Sequence, residues 1–391
     1  MDILRFKGLF KEKYGERSEQ GPVQYFFSPG RVNLIGEHID YNGGYVFPAA
    51  LSLGIYGALR FRADRFIQLK STNASQSVTI NLAEPIVYKP EDGWANYPKG
   101  VIKQLLDDGH LLKGCDILFS GDLPDGAGLS SSAALLVLVT FMLRYADGER
   151  DIDKVAIAKF TQKVENQFIG VNCGIMDQFA VAMGKKDVAI LLDCNTLHYK
   201  YTPFALGEYS LVIMNTNKKR ELAESKYNER RDECEQVVDI IKKHRQVESL
   251  CQVSMSEIDK YVENDVLRRR ASHVISENNR VLLAVELLDK GDIVGFANLM
   301  TQSHNSLKID YEVTGVELDC IVENALLAKG CIGARMTGAG FGGCAIALVA
   351  TCNIEQFKVV VAQEYQKTTG LLPDFYVASI VDGVRLLDVK N

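Results

Sequence analysis

In Cys115-Asp116-Ile117-Leu118-Phe119-Ser120-Gly121-Asp122-Leu123-Pro124-Asp125-Gly126-Ala127-Gly128-Leu129-Ser130-Ser131-Ser132-Ala133, an alternating run passes through a turn cluster into serines. The first six residues read as a half-buried strand, and an apolar helix is predicted over 131–144. A strand that reaches a helix N-terminus through glycines brings backbone N–H groups and the positive end of the helix dipole together, which suits an anion. Gly126, Ala127, Gly128, Leu129, Ser130, Ser131 and Ser132 are therefore candidate phosphate contacts, their hydroxyls fitted to phosphate oxygens or magnesium. No Gly-Lys-Ser/Thr follows, so no P-loop lysine cradles the phosphates. A serine-rich helix cap without ligand is the plainer alternative.

Outward from this stretch, the residues upstream have β texture. Tyr25-Phe26-Phe27, 54–61 and 77–80 read as strands, with turn clusters such as Asn42-Gly43-Gly44 between them. Helices are predicted over 97–106 and 154–168, the latter stopped by Gly170, and a short one follows Gly174 with Ile175, Phe179 and Met183 on one face. Strands return at 188–193 and 210–215, charged helices fill 222–329, and 333–380 mixes strands with a helix over 354–365. Hairpins outnumber βαβ units, so the class is α+β. A domain boundary is expected within 200–215, dividing 1–205 from 206–391.

The 391 residues allow two or three domains, with 47% hydrophobic and 24% charged residues, as in soluble globular proteins. Lys and Arg number 44 against 50 Asp and Glu, a net charge of −6 that argues against nucleic-acid or membrane-surface partners. An anionic substrate must then be met locally. The run 218–231 offers this, with Lys218, Lys219, Arg220, Lys226, Arg230 and Arg231 against Glu221, Glu224 and Glu229. The longest apolar stretch, 133–143, is far short of the roughly 20 residues of a membrane span. Nine cysteines without C-x-x-C spacing read as reduced thiols, and the six histidines show no ligand spacing. A cytoplasmic location is expected.

Three more segments carry chemistry. In Ser28-Pro29-Gly30-Arg31-Val32-Asn33-Leu34-Ile35-Gly36-Glu37-His38-Ile39-Asp40-Tyr41-Asn42-Gly43-Gly44, acidic groups and a histidine flanked by glycines suit a polyhydroxylated ligand, or form a polar hairpin. Asp177 falls in the first turn of the helix after Gly174, and Glu165 lies on the helix before Gly170. A weak base serves phosphoryl transfer, where bond breaking to the leaving group leads; both carboxylates could equally be ordinary helix residues. Arg335-Met336-Thr337-Gly338-Ala339-Gly340-Phe341-Gly342-Gly343-Cys344 fits G-x-G-x-x-G, yet a strand follows where a dinucleotide fingerprint requires a helix. A tight turn or a loop near phosphates fits it better.

Together these segments resemble the galactokinase family, within the superfamily of galactokinase, homoserine, mevalonate and phosphomevalonate kinases. Residues 29–41 are similar to its sugar signature, 126–133 to its phosphate loop and 335–343 to its third motif, in family order along the chain. The resemblance implies a two-domain fold, with an N-terminal domain like that of a ribosomal protein and a ferredoxin-like C-terminal domain. It implies ATP-dependent phosphorylation of α-D-galactose at C1, with ATP and Mg2+ as cofactors and a monomer binding small molecules only.

By the same resemblance, Asp177 is the base for the C1 hydroxyl and Arg31 stands beside it. Glu37, His38, Ile39, Asp40, Gly174 and Tyr227 belong to the sugar site. The residues from Gly126 to Ser132 wrap the phosphates, Ser132 and Glu165 hold magnesium, and Ser71 and Trp94 lie near the adenine. Ile39 stands where many galactokinases carry Thr and some N-acetylgalactosamine kinases carry Ile, and Ala127 replaces a commoner Gly. The alternatives are an N-acetylgalactosamine kinase or a non-catalytic galactose sensor. Such sensors lack two residues of the serine loop, which is complete here at Ser130-Ser131-Ser132-Ala133.

Overall fold

The computed structural model describes residues 2–16, 21–124, 127–218 and 223–388. The first half runs α1 (Ile3–Tyr14), β1 (Gln24–Asn33), β2 (Tyr45–Val46), β3 (Pro48–Phe61), β4 (Phe66–Ser71), β5 (Val78–Asn81), α2 (Asn96–Asp107), β6 (Cys115–Gly121), α3 (Ser131–Ala146), α4 (Lys154–Val164), α5 (Met176–Met183), β7 (Val188–Asp193) and β8 (Tyr199–Pro203). The second half runs β9 (Tyr209–Asn215), α6 (Ala223–Lys242), α7 (Met255–Tyr261), α8 (Asp265–Asp289), α9 (Ile293–Ser306), α10 (Gly315–Leu327), β10 (Cys331–Thr337), β11 (Cys344–Ala350), α11 (Ile354–Thr369), β12 (Asp374–Ala378) and β13 (Arg385–Leu386).

A six-stranded sheet has the order β13-β1-β3-β6-β4-β5, antiparallel except for the parallel pair β4 and β6. Helix α3 lies between this sheet and α2, α4 and α5. That position explains its composition: every residue from Ala133 to Leu143 is buried, so no polar face is needed. The second sheet, β10-β11-β9-β12, is wholly antiparallel and is covered by α9, α10 and α11. A small third sheet, β2-β7-β8, adjoins the first at β3.

Of three local irregularities, the first two aim side chains at the gap between the halves. The pairing of β1 with β3 shifts register between Pro29 and Arg31. There Gly30 lies so close to the loop before α3 that a Cβ would meet Leu129 O at 2.8 Å. The close approach lets Arg31 N–H donate to Leu129 O at 3.2 Å and turns the arginine toward that loop. The helix predicted over 154–168 stops being α-helical at Val164. A π turn, Glu165–Ile169, completes it, and Gly170 closes it at φ 87°. A second π turn, Leu307–Tyr311, ends at Glu312 with φ 55°. Such turns rotate side chains out of helical phase and recur at functional sites.

Candidate active site

A cavity of about 420 Å3 lies where the first two irregularities, the serine loop and α6 meet. Arg31 is buried at its floor. The guanidinium donates from Nε to Asp177 Oδ1 and from Nη2 to Oδ2, both at 2.7 Å, and from Nη1 to Gly128 O at 2.7 Å. One fork thus joins the carboxylate of α5 to the serine loop. Asp177 occupies the first turn of α5 and keeps 30% of its side chain exposed toward the cavity. Ser130 Oγ also donates to Asp177 Oδ2.

Beside this pair, the sugar-signature residues form the wall. Asp40 borders the cavity and is otherwise enclosed by protein. This burial, and next the charge of Asp177, raise its carboxyl to about 6. A side chain at Gly174 would displace Asp40, because a Cβ would lie 1.9 Å from Asp40 Oδ2. Glu37 is only 1% exposed and is held by four donors. Thr337 Oγ1 and Gly338 N–H serve its Oε1 at 3.1 and 2.7 Å, while Asn33 Nδ2 and Arg335 Nη1 serve its Oε2 at 2.5 and 2.9 Å.

His38 has both ring nitrogens engaged, Nε2 with Ala339 O at 3.1 Å and Nδ1 with Tyr41 Oη at 2.9 Å. Burial lowers its pKa to about 3, so the ring is neutral; the carbonyl partner places the proton on Nε2. Tyr227, from α6, faces His38 and Tyr41 with ring centroids 5.6 and 5.3 Å away. On the opposite side Glu165 accepts from Gln178 Nε2 at 2.6 Å and from Ser132, and both Ser132 and Glu165 border the cavity.

The remaining expected residues sit elsewhere. The Ile39 side chain is fully buried in the core and does not line the cavity. Ala127 and Leu129 are also buried, leaving main chain as their means of contact, and Gly126 lies outside the described residues. Ser71 is paired with Phe119 across β4 and β6, and Trp94 packs edge-on against the same ring at 5.8 Å. Neither lines this cavity, although Trp94 Nε1 is buried without a partner among the described residues.

Among the described residues, the basic run does not present free charge to the cavity. Lys218 pairs with Glu317 at 2.9 Å, Lys226 with Glu229 at 2.7 Å and Arg231 with Glu235 at 3.0 Å. Arg230 is buried on Tyr311 O at 2.7 Å, and Lys219 and Arg220 lie outside the described residues. Arg230, and Arg231 through Asn172 O at 3.3 Å, hold α6 against its neighbours.

Several contributors escaped the sequence reading. Tyr311 donates to Tyr41 Oη at 2.9 Å, since the Tyr41 proton goes to His38 Nδ1, and no motif marks it. Gln178 follows Asp177 directly and orients Glu165. Arg335 and Thr337 were visible as the third motif, but their service to Glu37 depends on a fold that joins positions about 300 apart.

The comparisons agree over the whole chain. The galactokinase galactose-binding signature matches residues 8–61, the GHMP kinases N terminal domain 96–185 and the GHMP kinases C terminal domain 284–356. A galactokinase of Clostridium tetani is 54% identical over 387 residues, covering 98% of this chain and 97% of that one. One from Enterococcus faecalis is 50% identical over 97% and 98% of the two chains. The crystal structure of Lactococcus lactis galactokinase complexed with galactose superposes with a TM-score of 0.93 at 43% identity, covering 98% of this chain and all of that one. A Methanococcus jannaschii mevalonate kinase, at 20% identity and a TM-score of 0.64, shares the fold. The chain belongs to the galactokinase family of GHMP kinases.

Proposed function

We propose that the protein transfers the γ-phosphoryl group of ATP to the C1 hydroxyl of α-D-galactose, giving galactose 1-phosphate and ADP. The observation that carries this reading is the Arg31–Asp177 fork, set at the floor of the cavity with the serine loop tied to it through Gly128 O. Asp177 takes the C1 proton. Arg31 orients it and opposes charge building on the phosphoryl group as it moves.

Asp40 accepts sugar hydroxyls, Glu37 fixes the wall through the four donors that fill it, Gly174 leaves the sugar room, and Tyr227 covers the ring. His38 belongs to this wall by shape, since its nitrogens are already occupied. The main chain of Gly128 and the first turn of α3, whose N-cap residue supplies no side-chain acceptor, present N–H groups to the phosphates. The unpartnered indole N–H of Trp94, with Ser71 nearby, supports an adenine position there.

Ser132 and Glu165 fit magnesium, which takes few protein ligands and completes its shell with phosphates and water. Magnesium there neutralises phosphate charge when bound. Among the described residues no helix is long and apolar enough to cross a membrane. A cytoplasmic monomer without nucleic-acid or membrane partners completes the proposal.

Measuring ADP release across a panel of sugars tests the reading. Galactose should give the highest kcat/KM, and a clear preference for N-acetylgalactosamine would overturn the substrate assignment.

A further inference from the structure

We propose that Ser130 is a positioning residue for the base and not a phosphate ligand: its hydroxyl holds Asp177 Oδ2 and leaves Oδ1 to take the sugar's proton. The inference rests on the reading of Asp177 as the base. It begins with the backbone. Ser130 has φ 63° and ψ 46°, the left-handed conformation that residues with a Cβ adopt at a cost. Two residues earlier, where the loop takes φ 73°, the residue is glycine. A serine at 130 therefore carries a strain that glycine would remove, and the side chain is what the strain retains.

The hydroxyl is not spent as a helix cap. Ser130 stands at the N-cap of α3, where serine ordinarily accepts from the second or third helical N–H group, yet it makes no such bond. Its Oγ donates to Asp177 instead. This has two effects: the first-turn N–H groups of α3 are left for an anion, and the carboxylate gains a third donor.

Counting acceptor sites then distinguishes the two carboxylate oxygens. A carboxylate offers about four lone-pair sites, two on each oxygen. Oδ2 accepts from Arg31 Nη2 and Ser130 Oγ, whereas Oδ1 accepts from Arg31 Nε alone among the described residues. The open site is on Oδ1. In the transfer, the C1 O–H bond breaks with its proton passing to Oδ1, and the sugar oxygen forms the new bond to the γ-phosphorus. The bond from that phosphorus to the β–γ bridging oxygen breaks, and ADP departs with the electron pair. With Arg31 and Ser130 both in place the carboxylate cannot swing away from that geometry.

Ser130→Gly is the decisive variant, because glycine keeps the left-handed backbone while removing the hydroxyl and relieving the strain of the Cβ. Loss of one hydrogen bond to a charged group predicts a kcat lower by about ten- to a hundredfold. The KM for ATP, and the affinity for a non-hydrolysable ATP analogue with magnesium measured by calorimetry, should stay within about twofold, since no phosphate contact is lost. Ser130→Ala should show the same loss of kcat together with a lower Tm than Ser130→Gly, because it keeps the strained Cβ.

Weaker analogue binding with kcat retained would make Ser130 a phosphate ligand and overturn the proposal. Unchanged kcat and affinity would overturn it too. Asp177→Asn, assayed in parallel, separates the two readings. If Asp177→Asn abolishes turnover and Ser130→Gly does not, only this inference falls. Near-normal turnover in Asp177→Asn removes the base and this inference with it.

Discussion

Arg31 contributes by geometry as much as by charge. Its three contacts, two to Asp177 and one to Gly128 O, require a planar fork that a lysine ammonium cannot reproduce. Arg31→Lys should lower kcat about a hundredfold, two charge-assisted hydrogen bonds being lost, and steady-state assays at saturating ATP check it. Asp40 adds a pH dependence. Its carboxyl is raised to about 6, by burial first and Asp177 second, and it must be ionised to accept sugar hydroxyls. In the free enzyme kcat/KM for galactose should therefore fall about tenfold per pH unit below 6, while the KM for ATP changes little. Stability moves in the opposite sense. A carboxyl raised from 3.8 to about 6 on folding stabilises the protonated fold fully below pH 4, and that contribution is lost as pH rises through 6. Asp40→Asn should then raise Tm at pH 7.5 and leave it nearly unchanged at pH 4, while removing activity. An equal change in Tm at both pH values would refute the assignment.

The elements explain why part of this was readable beforehand. Strand β6, the serine loop and α3 appear in the order that the alternation, the turn cluster and the apolar run of 115–144 dictate, because each is a local preference. The π turns were not readable: α4 and its extension share one apolar periodicity, and nothing local announces that Glu165 leaves the helical phase. Ile39 shows the same limit from the other side, since its neighbours in the signature line the cavity while its own side chain alternates into the core. The second π turn depends on distant residues. Arg270 Nη1 donates to Asp310 O and Arg230 Nε to Tyr311 O, with Glu233 and Glu312 balancing the guanidinium of Arg270. Arg270→Met takes one of two arginine partners from each carboxylate, leaving Glu233 with Arg230 and Glu312 with Arg269. The expected loss is about 1–3 kcal/mol, because neither carboxylate is left unpaired and Glu312 is half exposed. As Tyr311 also holds Tyr41, the KM for galactose should rise with it; chemical denaturation and sugar kinetics on one preparation check both. Gly174→Ala acts more locally, forcing Asp40 aside, and should raise the KM for galactose without a comparable fall in Tm.

Across the whole molecule, the two halves are joined at the cavity rather than merely adjacent to it. The final strand, β13, pairs with β1 through Phe26 and Leu386, and Leu51 bridges to Ile380, so the chain end is built into the first sheet. We propose the boundary at 205/206, in the connection from β8 to β9, with this return segment as the exception. The stronger tie is Arg335. Wholly buried on β10, it donates to Glu37 Oε2 and to Asn33 O, both within the sugar signature, and its Nη2 lies 3.9 Å from Glu277 of α8. Sugar-wall geometry and the packing of the halves therefore rest on one guanidinium. Arg335→Met keeps most of the volume but leaves Glu37 with only neutral donors, at a cost of about 3–5 kcal/mol for a broken buried pair. Glu37→Gln in the same background removes the orphaned charge, so the double variant should recover part of the stability lost in the single one. Neither should bind galactose normally, because the carboxylate is either displaced or absent. Additive losses in the double variant would show that Glu37 and Arg335 act independently, and the halves would then owe their arrangement to the sheet contacts alone.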